Sequence, residues 1–215
     1  MRAGRRVVVL RHGETTHNAA GIWQGHLDSP LSERGLAQAE VAGRALSALG
    51  PTAVVASDLA RAARTADAVG AACGIPVSYD ARFREIHAGE WQGMSGAQVR
   101  EQYPEDMDRL LRGEDFRRGG TGESVADVAG RCREAVEEVL GELGAGECVV
   151  VATHGVSGRA LVASLVGIDQ QLAWVVLSGL GNACWAELEE GRLGWRIRTW
   201  NDSARGAGGV STSLA

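Results

Sequence analysis

The sequence predicts an α/β protein of three layers, a doubly wound and largely parallel sheet with helices on both faces. Two observations carry that expectation. Short, wholly apolar runs alternate with amphipathic helical patterns, and two of those runs break directly into polar loops that hold a histidine. Size fits as well, since 215 residues at 45% hydrophobic and 23% charged suffice for one sizeable core.

Arg6 to Leu10 reads as a buried strand that ends at the polar cluster Arg11-His12-Gly13-Glu14-Thr15-Thr16. Past the loop around Asp28-Ser29-Pro30, Ser32 can cap a helix reaching about Leu49, with Leu36, Ala39, Gly43 and Leu46 on one face and Gly50-Pro51 as the stop. Ala53 to Ala56 is a second buried strand. Ser57 or Asp58 is then the expected cap of a helix from Leu59 to about Cys73, and Ile75 to Tyr79 is a third strand.

The stretch from about Arg82 to Gly122 is polar, rich in glycine and broken by Pro104, with short helical pieces at Gly96 to Gln102 and Asp106 to Arg112. It reads as an insertion over a site. Glu123 to Leu143 is a long helix with the apolar stripe Val125, Val128, Cys132, Val136 and Leu140. Cys148 to Ala152 is a fourth buried strand, followed by Thr153-His154-Gly155 and a helix from Ser157 to Val166. Two edge-like strands, near Asn182 to Leu188 and Leu193 to Asn201, complete one domain over residues 1–202, and the Gly- and Ser-rich segment 203–215 is expected to be a flexible tail.

Composition narrows the function classes. A net charge of −5 argues against nucleic acid as a partner, because binding to a phosphate backbone draws on a surplus of clustered basic charge. No apolar run is long enough to span a membrane, and the basic Met1–Arg6 segment leads into only Val7–Leu10 before Arg11, a strand rather than a signal peptide. Cys73, Cys132, Cys148 and Cys184 are scattered without the close spacing of metal knuckles or redox motifs, which fits reduced thiols in the cytoplasm. All 22 basic side chains are arginine. Arginine suits forked contacts to phosphate, although a GC-rich coding bias is the better account of the count.

In open sheets of this kind ligands bind beyond the carboxyl ends of strands, and His12 and His154 both fall at such ends. Arg11-His12-Gly13-Glu14 sets a permanent cation beside a residue able to act as nucleophile, base or metal ligand. Each candidate also has an ordinary reading. The histidines could be solvated loop residues, Arg61 could form a surface salt bridge with Asp58, and Glu85 could belong to a solvated charge cluster with Arg82, Arg84 and Glu90.

Taken together, the motifs resemble the histidine phosphatase superfamily, in its phosphoglycerate mutase-like branch, from about Val7 to Leu165. Leu10-Arg11-His12-Gly13-Glu14-Thr15 with Asn18 is similar to the nucleophile loop, Gln24-Gly25 to the stretch after it, and Ser57-Asp58-Leu59-Ala60-Arg61-Ala62 to a second arginine motif. Glu85, Gly89, Trp91 and Gly93 resemble the acid-bearing segment, and Thr153-His154-Gly155 the second histidine motif.

That resemblance implies a phosphoglycerate mutase-like fold and a phosphatase acting on a small phosphomonoester, with no metal and no cofactor. His12 is the implied nucleophile and Glu85 the acid, with Arg11, Arg61, His154 and Asn18 as donors to the phosphoryl oxygens. Gly155 is expected to offer its amide to the anion at a helix start. The mutase, which returns the phosphoryl group to substrate, is the rival, and the short stretch between Glu85 and His154 favours hydrolysis. A catalytically dead scaffold that binds phosphorylated ligands is the rival of another class, and the retained His12 and Arg11 speak against it.

Arg84-Glu85-Ile86-His87-Ala88-Gly89-Glu90-Trp91-Gln92-Gly93 and Gly181-Asn182-Ala183-Cys184-Trp185 resemble a group of actinobacterial glucosyl-3-phosphoglycerate phosphatases. A glycerate-type substrate carries a carboxylate near the phosphate, so rim donors are needed, and Gln24, Arg82 and Arg84 are the expected ones, with Arg64 as a fourth. Nothing in the sequence fixes the oligomeric state, and a homodimer stays open.

Overall fold

The computed structural model describes residues 4–204. Six strands form one mixed sheet in the order β3-β2-β4-β1-β5-β6: β1 Arg6–Arg11, β2 Ala53–Ala56, β3 Val77–Tyr79, β4 Cys148–Thr153, β5 Trp185–Gly191 and β6 Gly194–Asp202. The first four run parallel, and β5 and β6 are antiparallel. The second of the two late strands is therefore an edge as expected, but β5 is not. It pairs with β1 from Arg6 opposite Glu189 to Leu10 opposite Trp185.

Strand alternation sorts the core into two layers. Val7 and Val9 of β1 and Val149 and Val151 of β4 face α6 (Val125–Glu142) and α7 (Gly155–Val166). Val8, Leu10 and Val150 face α2 (Glu33–Ser47) and α3 (Ala60–Cys73) on the other side. With both faces covered, the central strands become continuous apolar runs. Each such side chain contributes about 1.5–3 kcal/mol of burial.

Helix boundaries show where local chemistry decides and where it does not. Ser32 caps α2 through the Gly35 N–H, and Ser124 caps α6 in a reciprocal pair with Asp127. Neither Ser57 nor Asp58 caps α3. The helix starts after Leu59, and the Ala60 N–H goes to Asp28 Oδ1 at 2.9 Å, a partner 32 residues away. Two short helices went unpredicted, α1 (Thr16–Ala20) and α8 (Gln170–Val176).

The segment after β3 holds α4 (Gly96–Gln102) and α5 (Pro104–Leu111), the latter with Pro104 in its first turn. Trp91, Val99, Met107, Leu110 and Phe116 give it an apolar cluster of its own, packed on Trp23. Close backbone approaches hold it. Gly89 and Gly119 both have positive φ, and a Cβ on either would stand 2.4 Å from a carbonyl oxygen of the other strand of this turn. The expected tail lies, apart from Ser203 and Ala204, outside the described residues.

In-register pairing of β1 with β4 sets the site. Arg11 is opposite Thr153, so the next residues, His12 and His154, leave the sheet side by side with ring centroids 5.1 Å apart.

Candidate active site

The nucleophile loop is fixed through its backbone. His12 N–H donates to Thr153 O at 3.0 Å, Gly13 N–H to Thr65 Oγ1 at 3.1 Å and Glu14 N–H to Gln38 Oε1 at 2.9 Å. Gly13 has no room for a side chain, since a Cβ there would meet Gly35 O at 2.4 Å. The amides of His12, Gly13 and Glu14 are therefore already engaged within the protein.

This loop lines a cavity of about 590 Å³, of the size that takes a small metabolite. His12 Nδ1 is 2.6 Å from Gly13 O. A carbonyl only accepts, so Nδ1 carries the proton and Nε2 keeps its lone pair. Burial first, and then the charges of Arg61 and Arg11, push the His12 pKa well below its ordinary value. The imidazole is thus neutral and nucleophilic at neutral pH.

Arg11 donates from Nη1 to Leu180 O at 2.5 Å, while its buried Nε has no partner among the described residues. A buried donor left unpaired costs about 1–3 kcal/mol, which an anion's oxygen would offset. Arg61, 1% exposed, spans Gly25 O at 2.7 Å, Leu27 O at 2.8 Å and His154 Nδ1 at 3.1 Å. Burial lowers its pKa to about 10, which leaves it a cation. The surface-salt-bridge reading of Arg61 fails, because Asp58 pairs with Arg84 instead.

Asn18 Oδ1 accepts from Thr15 N–H at 3.2 Å and from Asn182 Nδ2 at 3.1 Å. The oxygen must face these donors, so the Asn18 Nδ2 group is the one left for the cavity. Gln24 Oε1 is likewise held, by Thr15 Oγ1 at 3.0 Å, leaving its amide nitrogen.

Three of the expected sets of donors are engaged by protein partners. His154 is fully buried behind the cavity wall, and both its ring nitrogens are engaged. Nδ1 accepts from Arg61, so Nε2 carries the proton and donates to Ser57 Oγ at 2.9 Å. In this structure both His154 ring nitrogens are thus committed to protein partners, Arg61 and Ser57.

Gly155 does not offer its amide to the substrate either. Its N–H, with those of Val156 and Ser157, bonds to the Glu85 carboxylate at 3.0–3.2 Å, so Glu85 sits on the N-terminus of α7. Ile86 N–H adds a fourth donor to the same carboxylate, and Ser157 Oγ lies 3.0 Å from its Oε1 while giving its one proton to Arg84 O at 2.7 Å. This cap, 70 residues away in sequence, is why α7 starts at Gly155 rather than Ser157.

Arg82 and Arg84 do not reach the cavity. Arg82 is clasped by Asp80 and Glu138, with Glu134 nearby, and Arg84 is paired with Asp58, so both guanidinium groups are spent on outer ion pairs. Arg64 is exposed and away from the lining. Among the described residues no group of three His, Cys, Asp or Glu side chains could hold a metal ion.

Among the lining residues to which the sequence assigned no role, Asn182 and Arg159 stand out. Asn182 donates both amide hydrogens, to His12 O and Asn18 Oδ1, tying the nucleophile's carbonyl to the donor amide. Arg159 lies on α7 one turn after Gly155, and that i,i+4 spacing was the available signal.

Comparison with known proteins settles the family. The sequence matches the histidine phosphatase superfamily (branch 1) over residues 7–203. The chain belongs to that superfamily. A glucosyl-3-phosphoglycerate phosphatase of Mycolicibacterium vanbaalenii is 41% identical, with 96% of this chain and 98% of that one covered. The solved structure of a mycobacterial glucosyl-3-phosphoglycerate phosphatase in complex with VO3 superposes with a TM-score of 0.85 at 40% identity, covering 93% of this chain and 100% of that one. A Serratia proteamaculans protein named "Probable phosphoglycerate mutase" is more distant, at 35% identity over 76% of this chain and 75% of its own. This histidine phosphatase is thus an enzyme, a phosphomonoester hydrolase, and the mutase reading recedes.

The imidazoles of this histidine phosphatase couple its stability to pH. Burial is the first cause that lowers the pKa of His12, His154 and His26. As pH falls through about 6.5 the unfolded chain takes up protons that the folded chain refuses, so stability declines. Each buried imidazole costs up to about 1.4 kcal/mol per pH unit until its folded pKa is reached. The lowered carboxylates Asp58 and Glu123 act only below about 4.5. Urea denaturation should therefore give a clearly lower midpoint at pH 5.5 than at 7.5. An equal or higher midpoint at 5.5 would contradict this.

Proposed function

We propose that this protein hydrolyses a small phosphomonoester in two displacements on His12, with glucosyl-3-phosphoglycerate or a related phosphorylated glycerate as substrate. The observation that carries the reading is the His12 Nδ1–Gly13 O hydrogen bond, which aims a neutral Nε2 lone pair into a cavity walled by Arg11 and Arg61.

Nε2 attacks phosphorus, the bond to the leaving oxygen breaks, and the Glu85 carboxyl gives that oxygen its proton. Water then attacks the phosphohistidine, passes a proton to Glu85, and the P–N bond breaks to return neutral His12 and inorganic phosphate. Charge on the equatorial oxygens is met by Arg11, Arg61 and the free amide groups of Asn18 and Gln24. His154 and Asn182 are positioning residues for Arg61 and for the His12 loop.

Ser157 Oγ, 3.0 Å from Glu85 Oε1 with its own proton on Arg84 O, is placed to accept a proton carried by the Glu85 carboxyl. Departure of an alkoxide needs that proton and departure of nitrophenolate does not. Glu85→Gln should accordingly slow alkyl phosphates at least tenfold more than p-nitrophenyl phosphate, in line with the worth of general acid catalysis. A uniform loss across leaving groups would remove Glu85 as the acid.

No metal enters these steps. Release of nitrophenol from p-nitrophenyl phosphate should proceed at the same rate with and without a chelator, whereas a scaffold would release none and a metal enzyme would stop. The segment at about residues 82–122 is proposed as a cover for the site, supported by Glu85, Ile86 and Ala88 in the cavity wall. A cytoplasmic location is supported by four free cysteines, and no helix among the described residues is long and apolar enough to cross a membrane.

A further inference from the structure

The cavity holds two cations that the proposed steps do not use, and one of them is paired with a carboxylate of the lining. Arg11, Arg34, Arg61 and Arg159 line it, together with Glu14 and Glu85. Arg34 pairs with Glu14 at 3.4 Å, Glu85 is bound to the start of α7, and Arg11 and Arg61 serve the phosphoryl group. Arg159 is left over.

Its setting is that of a built anion contact. The guanidinium carbon lies 3.7 Å from the centroid of the Trp174 ring, and among the described residues its hydrogen-bond acceptor is Leu177 O, 3.3 Å from Nη1. Among the described residues no carboxylate forms an ion pair with it. Stacking on the indole fixes the guanidinium while leaving most of its N–H groups unused. Burial lowers its pKa to about 10, so it keeps its charge at neutral pH at a desolvation cost that a bound anion would offset.

Placement along α7 gives the spacing. A Cβ on Gly155 would lie 3.6 Å from the Arg11 guanidinium, so Arg11 rests on the first turn of the helix. Arg159 is four residues further on, on the same face and roughly 6 Å along. An anion held by Arg159 therefore sits about one helical turn from the phosphoryl group, as a carboxylate two carbons beyond the phosphorylated carbon does.

We propose that Arg159 is a specificity-determining residue that binds a carboxylate on the leaving group of the substrate. The inference rests on the phosphatase reading above and deepens it. It transfers to α7 the rim role first expected of Arg82 and Arg84.

The test compares kcat/KM for 3-phosphoglycerate and for glycerol 3-phosphate, which has the same carbon skeleton without the carboxylate, in wild type, Arg159→Met and Arg159→Lys. The wild type should prefer 3-phosphoglycerate at least tenfold, roughly the worth of one charge-assisted hydrogen bond. Arg159→Met should reduce that ratio at least tenfold, mainly through KM, and Arg159→Lys should restore part of it. Parallel loss on both substrates, or an unchanged ratio, would overturn the assignment, and Arg159→Lys alone decides it should the methionine variant fail to fold. Hydrolysis of p-nitrophenyl phosphate separates the two readings. Wild-type activity on it with no carboxylate preference sinks only the role of Arg159, whereas no activity on any phosphomonoester sinks the proposed reaction itself.

Discussion

His12→Ala should lose turnover on any phosphomonoester by on the order of 10⁴-fold or more, the scale seen when a covalent nucleophile is removed. No neighbour can substitute. The other imidazole, His154, is 5.1 Å away centroid to centroid, but its nitrogens are committed to Arg61 and Ser57 and its ring stands behind the wall. The fold should survive, because the loop is held by backbone bonds from His12, Gly13 and Glu14 that alanine leaves in place. Initial rates on p-nitrophenyl phosphate, read beside an unchanged denaturation midpoint at pH 7.5, check this. Residual activity within about a hundredfold of wild type would mean that another group attacks phosphorus.

Arg61→Met should lower kcat by roughly 10²–10³, as removal of one preorganised transition-state donor does. A stability loss should accompany it. Gly25 O and Leu27 O lose their donor, and an unsatisfied buried carbonyl costs about 1–3 kcal/mol. Arg61→Lys keeps the charge but cannot reach both carbonyls, His154 and the substrate at once, so it should recover little activity. Near-normal rates in Arg61→Met would show that Arg61 is structural only.

How much of this was legible in the sequence depends on the distance over which each feature is determined. The strands Val7–Leu10 and Cys148–Ala152 were readable because burial on two faces demands an unbroken apolar run. Ser32 as a cap was readable because its partner, Gly35, is three residues away. The start of α7 was not, since the group that satisfies its amides, Glu85, comes from the far side of α6.

The same rule holds at the site. His12, Arg11, Asn18, Gln24, Arg61 and Glu85 could be named from motifs and do line one cavity. Arg82 and Arg84 looked equally available, because the carboxylates that occupy them, Glu138 and Asp58, are 56 and 26 residues distant. The engagement of His154 by Ser57 was hidden for the same reason, as that acceptor is 97 residues away. Arg159 lacked a motif altogether.

The central claim is a phosphoryl group carried on His12. Rapid mixing of enzyme with substrate, followed by alkaline quench and mass spectrometry of the peptide that contains His12, tests it directly. The predicted result is a transient, acid-labile phosphoryl adduct on Nε2 of His12, the nitrogen left free by the bond from Nδ1 to Gly13 O. Phosphate release with no protein-bound phosphoryl group at any time, or an adduct that persists in His12→Ala, would contradict it.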